Sequence, residues 1–179
     1  MKLCCQAIVF AAASMAALPA ARGDESFIVT SSSIVDGRVQ RIHACGSHGG
    51  KDNSVELSIT GIPTDSSFIT VVVDDPDAIP VAGKNWVHWN LFNLPASGKL
   101  SIPAGAPPQG DPGRSSGGSK GYEGMCPPNG THTYRFAVFA TKTKLEVGGF
   151  FGPPAMTIDY FESKFSKEIT ARSIITGKF

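Results

Sequence analysis

Three short segments gather side chains able to hold or move charge. They are Asp74-Asp75-Pro76-Asp77, Trp86-Val87-His88-Trp89-Asn90, and Cys126-Pro127-Pro128-Asn129-Gly130-Thr131-His132-Thr133-Tyr134. A histidine beside a carboxylate has its tautomer fixed and its protonated form favoured. Two such imidazoles and a phenol present N–H and O–H donors, and a phosphate-like anion accepts such bonds well, charge assistance strengthening them. His132 and Tyr134 stand two apart in an alternating run and therefore point to one side of a strand. The candidate pocket is thus Asp75, Asp77, His88, His132 and Tyr134, with Pro127 and Pro128 as a rigid wall. Each residue has a plainer reading as well. A single histidine on a strand often only completes the packing, Asp75 and Asp77 can cap turn amides, and Trp86 and Trp89 read as core.

Short strands must position these segments. Ser26–Ile34 reads as an N-terminal strand, Arg38–Ile42 as a short one, His43–Gly50 as a glycine-rich loop, and Val55–Ile59 as a strand ending at the turn Gly61–Asp65. Ser67–Val73 (Ser-Phe-Ile-Thr-Val-Val-Val) is a β-branched run with little polar interruption, which predicts burial on both faces. Pro76 cannot continue a central ladder, so the acids fall at or just past the strand end. Trp86–Leu94 alternates, with Val87, Trp89 and Leu91 on one face and His88, Asn90 and Phe92 on the other. Pro103–Gly124 predicts a long irregular loop, functional or merely connecting. His132–Ala140 alternates again, and Val147–Pro154 reads as a turn region. Thr157–Arg172 carries Ile158, Phe161, Phe165 and Ile169 at helical steps behind a capping Thr157, and Ile174–Phe179 reads as a closing strand. The sum is a mainly β domain of two packed sheets with one C-terminal helix.

Composition agrees with one small domain. The chain has 179 residues, and its 20 Gly and 13 Pro exceed the usual combined share of about 12%, favouring turns over long helices. Met1–Gly23 has the layout of a secretory signal peptide: Lys2, an apolar run from Cys4 to Leu18, then the small residues of Pro19–Gly23. The domain is therefore assigned to 24–179 and the protein to the periplasm or the exterior, without integral membrane association after cleavage. Cleavage removes Lys2 and Arg22 and no acid, taking the formal charge from +1 to −1. With no basic stripe, nucleic acid is excluded as a partner. Export leaves Cys45 and Cys126, an even pair in an oxidising compartment. A disulfide would close a loop of roughly 80 residues and add about 4 kcal/mol. Two separate buried thiols are the alternative, and a two-cysteine zinc site is disfavoured because neither belongs to a CxxC pair.

Taken together, Val73–Ala78, Trp86–Trp89 and Pro127–Tyr134 resemble, in order and spacing, the two signature regions of the phosphatidylethanolamine-binding protein family, which includes the Raf kinase inhibitor proteins. Cys45-Gly46 and Cys126-Pro127-Pro128 are similar to its bacterial branch. The resemblance runs from about Ile42 to Phe139. It implies a two-sheet β-sandwich with a peripheral helix and a small anion pocket at one end, formed by Asp75, Asp77, His88, Pro128, His132 and Tyr134, with Trp86 close by. It further implies action by binding an anionic or phosphorylated ligand, or by inhibiting a kinase or protease, without catalysis and without a cofactor. Ile79-Pro80, Cys126 and Ser97–Gly121 depart from the family pattern. Two other readings stay open. Two histidines and a carboxylate can hold a metal for assisted hydrolysis, although neither an HExxH pair nor a serine elbow is present. Alternatively the pocket is non-essential and Pro103–Gly124 carries recognition of a protein partner.

Overall fold

A computed structural model of the chain describes residues 26–107, 109–148 and 152–179; the signal-peptide expectation for Met1–Gly23 lies outside the described residues. Ten strands follow in chain order: β1 (Ile28–Thr30), β2 (Ile34–Val35), β3 (Arg38–Val39), β4 (Leu57–Ile62), β5 (Phe68–Asp75), β6 (Trp86–Pro95), β7 (Gly98–Ile102), β8 (Asp111–Pro112), β9 (Thr133–Thr141) and β10 (Ile169–Lys178). Among the described residues there are also two short α-helices, α1 (Ile79–Ala82) and α2 (Ile158–Lys164), and three single-turn 3-10 helices. The sheets are β1-β4-β7 and β2-β3-β10-β9-β5-β6-β8, a two-sheet, mainly β architecture.

β5 is an interior strand of the larger sheet, antiparallel to both β6 and β9. Its apolar run is buried on both sides for a visible reason. Ile69, Val71 and Val73 enter the core between the sheets, with Leu57 and Ile59 from β4. Val72 faces the opposite way, with Phe92, Ala137 and Phe139, into a second core closed by α2. There the Phe139 and Phe161 rings lie 4.7 Å apart, and Phe161 and Phe165 5.0 Å apart. Thr157 caps α2 by accepting from the Tyr160 N–H at 3.3 Å. Thr157→Ala should therefore lower stability by about 1 kcal/mol, visible as a lower denaturant midpoint at an unchanged slope.

Three expectations are corrected. The helix is not Thr157–Arg172. It ends at Lys164, and β10 begins at Ile169, five residues before the expected closing strand. Ile169 packs at the edge of the α2 core, so the apolar spacing continues after the helix has stopped. The N-terminal strand is broken into β1 and β2, which join different sheets. Finally, the described residues of the expected loop Pro103–Gly124 are tied down. They include β8, paired with Leu91 and Phe92 of β6. Gly113, Ser116 and Glu123 donate their N–H groups to the carbonyls of Asn90, Val87 and His88, so the segment runs along the edge of β6.

Candidate functional site

The carboxyl end of β5, the start of β6 and the start of β9 meet at one end of the larger sheet. They surround a cavity of about 230 Å³ lined by Asp75, His88, His132 and Tyr134 among others.

His132 directly precedes β9 and exchanges both main-chain hydrogen bonds with Phe179, at 2.9 and 3.1 Å. Held there, it donates Nδ1–H to Asp75 Oδ2 at 2.7 Å. The other Asp75 oxygen accepts from the Asp77 N–H at 3.0 Å. Both oxygens of this buried carboxylate are thus engaged, and its effect is to orient the imidazole and leave Nε2 as the remaining ring nitrogen. Asp77 is exposed, and its Oδ2 accepts from the Thr133 N–H at 2.8 Å. It braces the strand entry and does not line the cavity.

His88 reaches the cavity by an irregularity that simple alternation misses. Val73 pairs with Trp89, but Asp74 pairs with Val87, so His88 is an extra residue in β6. Such a bulge re-aims a side chain. Instead of sharing the face of Asn90 and Phe92, His88 stands 5.2 Å from the Tyr134 ring, while Asn90 bonds Met156 on the other side of the sheet. Its Nδ1–H donates to the Glu123 carbonyl at 3.0 Å. Burial holds its pKa below the usual 6.5, against the hydrogen bond to Glu123 and the nearby charge of Asp75. His88 is therefore neutral at pH 7, with an unprotonated Nε2.

Tyr134 lies beside both imidazoles, 6.4 Å from His132. Burial, aided by the charges of Asp75 and Asp77, pushes its phenol pKa well above the usual tyrosine value. It stays an O–H donor, and that buried hydroxyl has no hydrogen-bond partner among the described residues. A buried hydroxyl without a partner costs roughly 1–3 kcal/mol.

Pro127 and Pro128 form one wall, and Ala78, Val81 and Ala82, running from the end of β5 through α1, form an apolar one. Trp86, core by residue type alone but placed close to the pocket by the resemblance, is half-buried in the cavity lining under Lys84, whose Nζ is 4.9 Å from the ring; Trp89 lies in the core. Cys45 and Cys126 are joined by a disulfide with Cα atoms 5.5 Å apart, and Cys126 also lines the cavity.

Two features were not found by sequence reasoning. Glu123 fixes His88 through its carbonyl, an atom every residue carries, so no side-chain pattern marks it. Asp74, the first acid of the dense run, faces away from the pocket. It accepts from Arg135 Nε and Nη2, both at 2.8 Å, from Asn85 at 2.9 Å and from the Ile158 N–H at 3.0 Å. The hydrogen bond to Asp74 is the main reason the Arg135 pKa rises further.

Comparison with known proteins agrees with this architecture. The family model described as phosphatidylethanolamine-binding protein matches residues 30–179. A UPF0098 protein of Methanothermobacter thermautotrophicus is 35% identical over 116 residues, covering 62% of this chain and 73% of that one. The UPF0098 protein YbcL of Escherichia coli is 35% identical over 131 residues, covering 66% and 70%. The crystal structure of YbcL, described as a new member of the mammalian PEBP family, superposes with a TM-score of 0.70 at 28% identity, over 86% of this chain and 98% of that one. The homolog CT736 of Chlamydia trachomatis shares the fold, with a TM-score of 0.70 at 24% identity, over 86% and 97%. The family match spans most of the chain, the solved relatives share its fold, and the chain belongs to the phosphatidylethanolamine-binding protein family.

Proposed function

We propose that this chain is an exported binding protein whose cavity takes a small tetrahedral oxyanion such as a phosphate headgroup, and that it acts by occupying a ligand or a partner, a kinase or protease, and not by catalysis. The observation that carries this reading is the Tyr134 hydroxyl, a buried donor without a partner among the described residues, beside two imidazoles already anchored through Nδ1. A ligand oxygen supplies the missing acceptor. Both carboxylate oxygens of Asp75 are engaged by protein donors, which limits repulsion of an anion. Cys126, which lines the cavity, is held in a disulfide, which removes it as a nucleophile and fits an oxidising compartment. Exposed Ile79 and Val81 on α1, at the side of the cavity, offer apolar contact area for a protein partner.

Thermal unfolding with phosphate, phosphoethanolamine, nucleotides and carboxylates tests the proposal. A compound at 100 times its Kd should add about 2.7 kcal/mol, raising the midpoint by roughly 5–11 °C for a domain of this size. His132→Ala should lose that shift. A shift that persists in His132→Ala places the ligand elsewhere. If no compound gives a shift, recognition lies with a protein partner, and substitution within Pro103–Gly124 would then abolish it while His88→Ala would not.

A further inference from the structure

We propose that Cys45, Cys126 and His48 form a reduction-gated site for a thiophilic metal ion, Zn²⁺ by its geometry, at the rim of the cavity. The inference does not depend on the anion reading; to the exported reading it adds the requirement for a dithiol reductant that opens the Cys45–Cys126 bond. Ligand atoms of these three residues lie within 4.8 Å of one another. His48 Nδ1 is 3.3 Å from Cys45 Sγ and 3.7 Å from Cys126 Sγ. Tetrahedral zinc with Zn–S of about 2.3 Å and Zn–N of about 2.0 Å requires N···S edges of about 3.5 Å and an S···S edge of about 3.8 Å. The imidazole already stands at the edge length that such a site needs. Only the two sulfurs have to part, which breaking their bond permits.

Besides the disulfide, hydrogen bonds also tie the two cysteine segments to each other. Cys45 donates its N–H to the Met125 carbonyl at 3.0 Å, and Met125 donates to the His43 carbonyl at 3.3 Å. The Tyr122 hydroxyl bonds that same His43 carbonyl at 2.7 Å, and the Gly124 N–H reaches Asp52 Oδ1 at 3.0 Å. Ser47 Oγ lies 3.0 Å from Cys45 Sγ and 3.3 Å from Cys126 Sγ, placed to donate to either thiolate. Outer hydrogen bonds of this kind orient ligands and raise metal affinity. Three protein ligands leave one position open to water or a ligand oxygen. Cys126 lines the cavity, so the metal would stand at its mouth.

The chemistry balances in two steps. A dithiol reductant passes two electrons and two protons to the Cys45–Cys126 bond and becomes a disulfide itself, leaving two protein thiols. Binding one Zn²⁺ as the dithiolate then releases two protons, with His48 neutral.

To test this, the full chain is reduced with a phosphine, freed of reductant without air, and titrated with Co²⁺ and then Zn²⁺. The oxidised protein is the control. The reduced protein should take up one equivalent of Co²⁺, giving thiolate-to-cobalt charge transfer and the intense visible bands of a tetrahedral site, and Zn²⁺ should displace it. The oxidised protein should give neither. Ser47→Ala and His48→Ala should each weaken binding by about tenfold or more. The proposal is overturned if reduced, folded protein binds no metal, if His48→Ala binds equally well, or if oxidised protein binds as tightly. Should reduction unfold the chain, circular dichroism decides: recovery of the fold on adding Zn²⁺ supports the site, and no recovery overturns it.

Discussion

Asp74→Ala should cost about 3–5 kcal/mol of stability, the range measured when one partner of a buried ion pair is removed. Asp74 is fully buried and serves four donors at once. The guanidinium of Arg135 is the lesser loss, because that side chain is 26% exposed and can turn to water. The Ile158 N–H is buried and belongs to the first turn of α2, where no carbonyl of its own helix can satisfy it. Losing Asp74 thus strands a helix start and opens a gap between β5, β9 and α2. The melting point should fall by roughly 6–12 °C at the lower end of that cost. Asp74→Asn makes the test sharper. It keeps the volume but turns an N–H₂ toward Arg135 or the Ile158 amide, setting donor against donor. It should cost most of what alanine costs. A denaturant midpoint showing asparagine within 1 kcal/mol of wild type would mean that shape, not charge and acceptor count, is what the site requires.

The same residue shows where sequence reading stops. Asp74, Asp75 and Asp77 form one acidic run, and their order is legible. Their division of labour is not. Asp74 turns to Arg135, Asp75 to His132 and Asp77 to Thr133 because each meets a different side of β9, and only the pairing of β5 with β9 fixes which. The strands with the plainest patterns were legible: β5 from its β-branched run, β9 from alternation that splits Tyr134, Phe136 and Val138 from Ala137 and Phe139. Period-two reasoning failed at His88, since one extra residue exchanges faces, and nothing local in Trp-Val-His-Trp announces it. Helical reasoning ran past Lys164 because Phe165 and Ile169 pack against the same core that α2 covers. Burial rewards the apolar spacing there whatever the backbone does, and the β-branched content of Ile169–Lys178 was the weaker but correct cue. The Cys45–Cys126 disulfide, expected from an even cysteine pair after export, is present, and β-type pairing of Ala44 with Met125 is what sets the two cysteines side by side.

Anion affinity should rise as pH falls, approaching tenfold per unit and about 100-fold over two units, because one proton is taken up per ligand bound. Nδ1–H of His88 is committed to the Glu123 carbonyl, so its neutral ring offers the cavity only a lone pair. It becomes a donor to an anion by accepting a proton at Nε2. Burial opposes that proton in the empty pocket. The groups facing the ring are the Asp75 carboxylate, the Glu123 side chain, the Tyr134 hydroxyl and His132. A bound dianion adds negative charge and raises the His88 pKa. The affinity gain therefore runs from that raised value down to the empty-pocket value below 6.5. Without ligand the sign is opposite. The unfolded chain takes up the proton near 6.5 while folded His88 still resists, so its contribution to stability is present above 6.5 and lost as pH falls through the lowered folded pKa. Sulfate is the suitable probe, since its own charge does not change between pH of about 5 and 8. Calorimetric titration across that range should show the slope in wild type and one proton fewer in His88→Asn, whose amide can still reach the Glu123 carbonyl but cannot titrate. An equal slope in both proteins would assign the proton to another group. A flat wild-type profile would leave His88 as a neutral wall of the cavity, with Tyr134 the donor that meets the ligand.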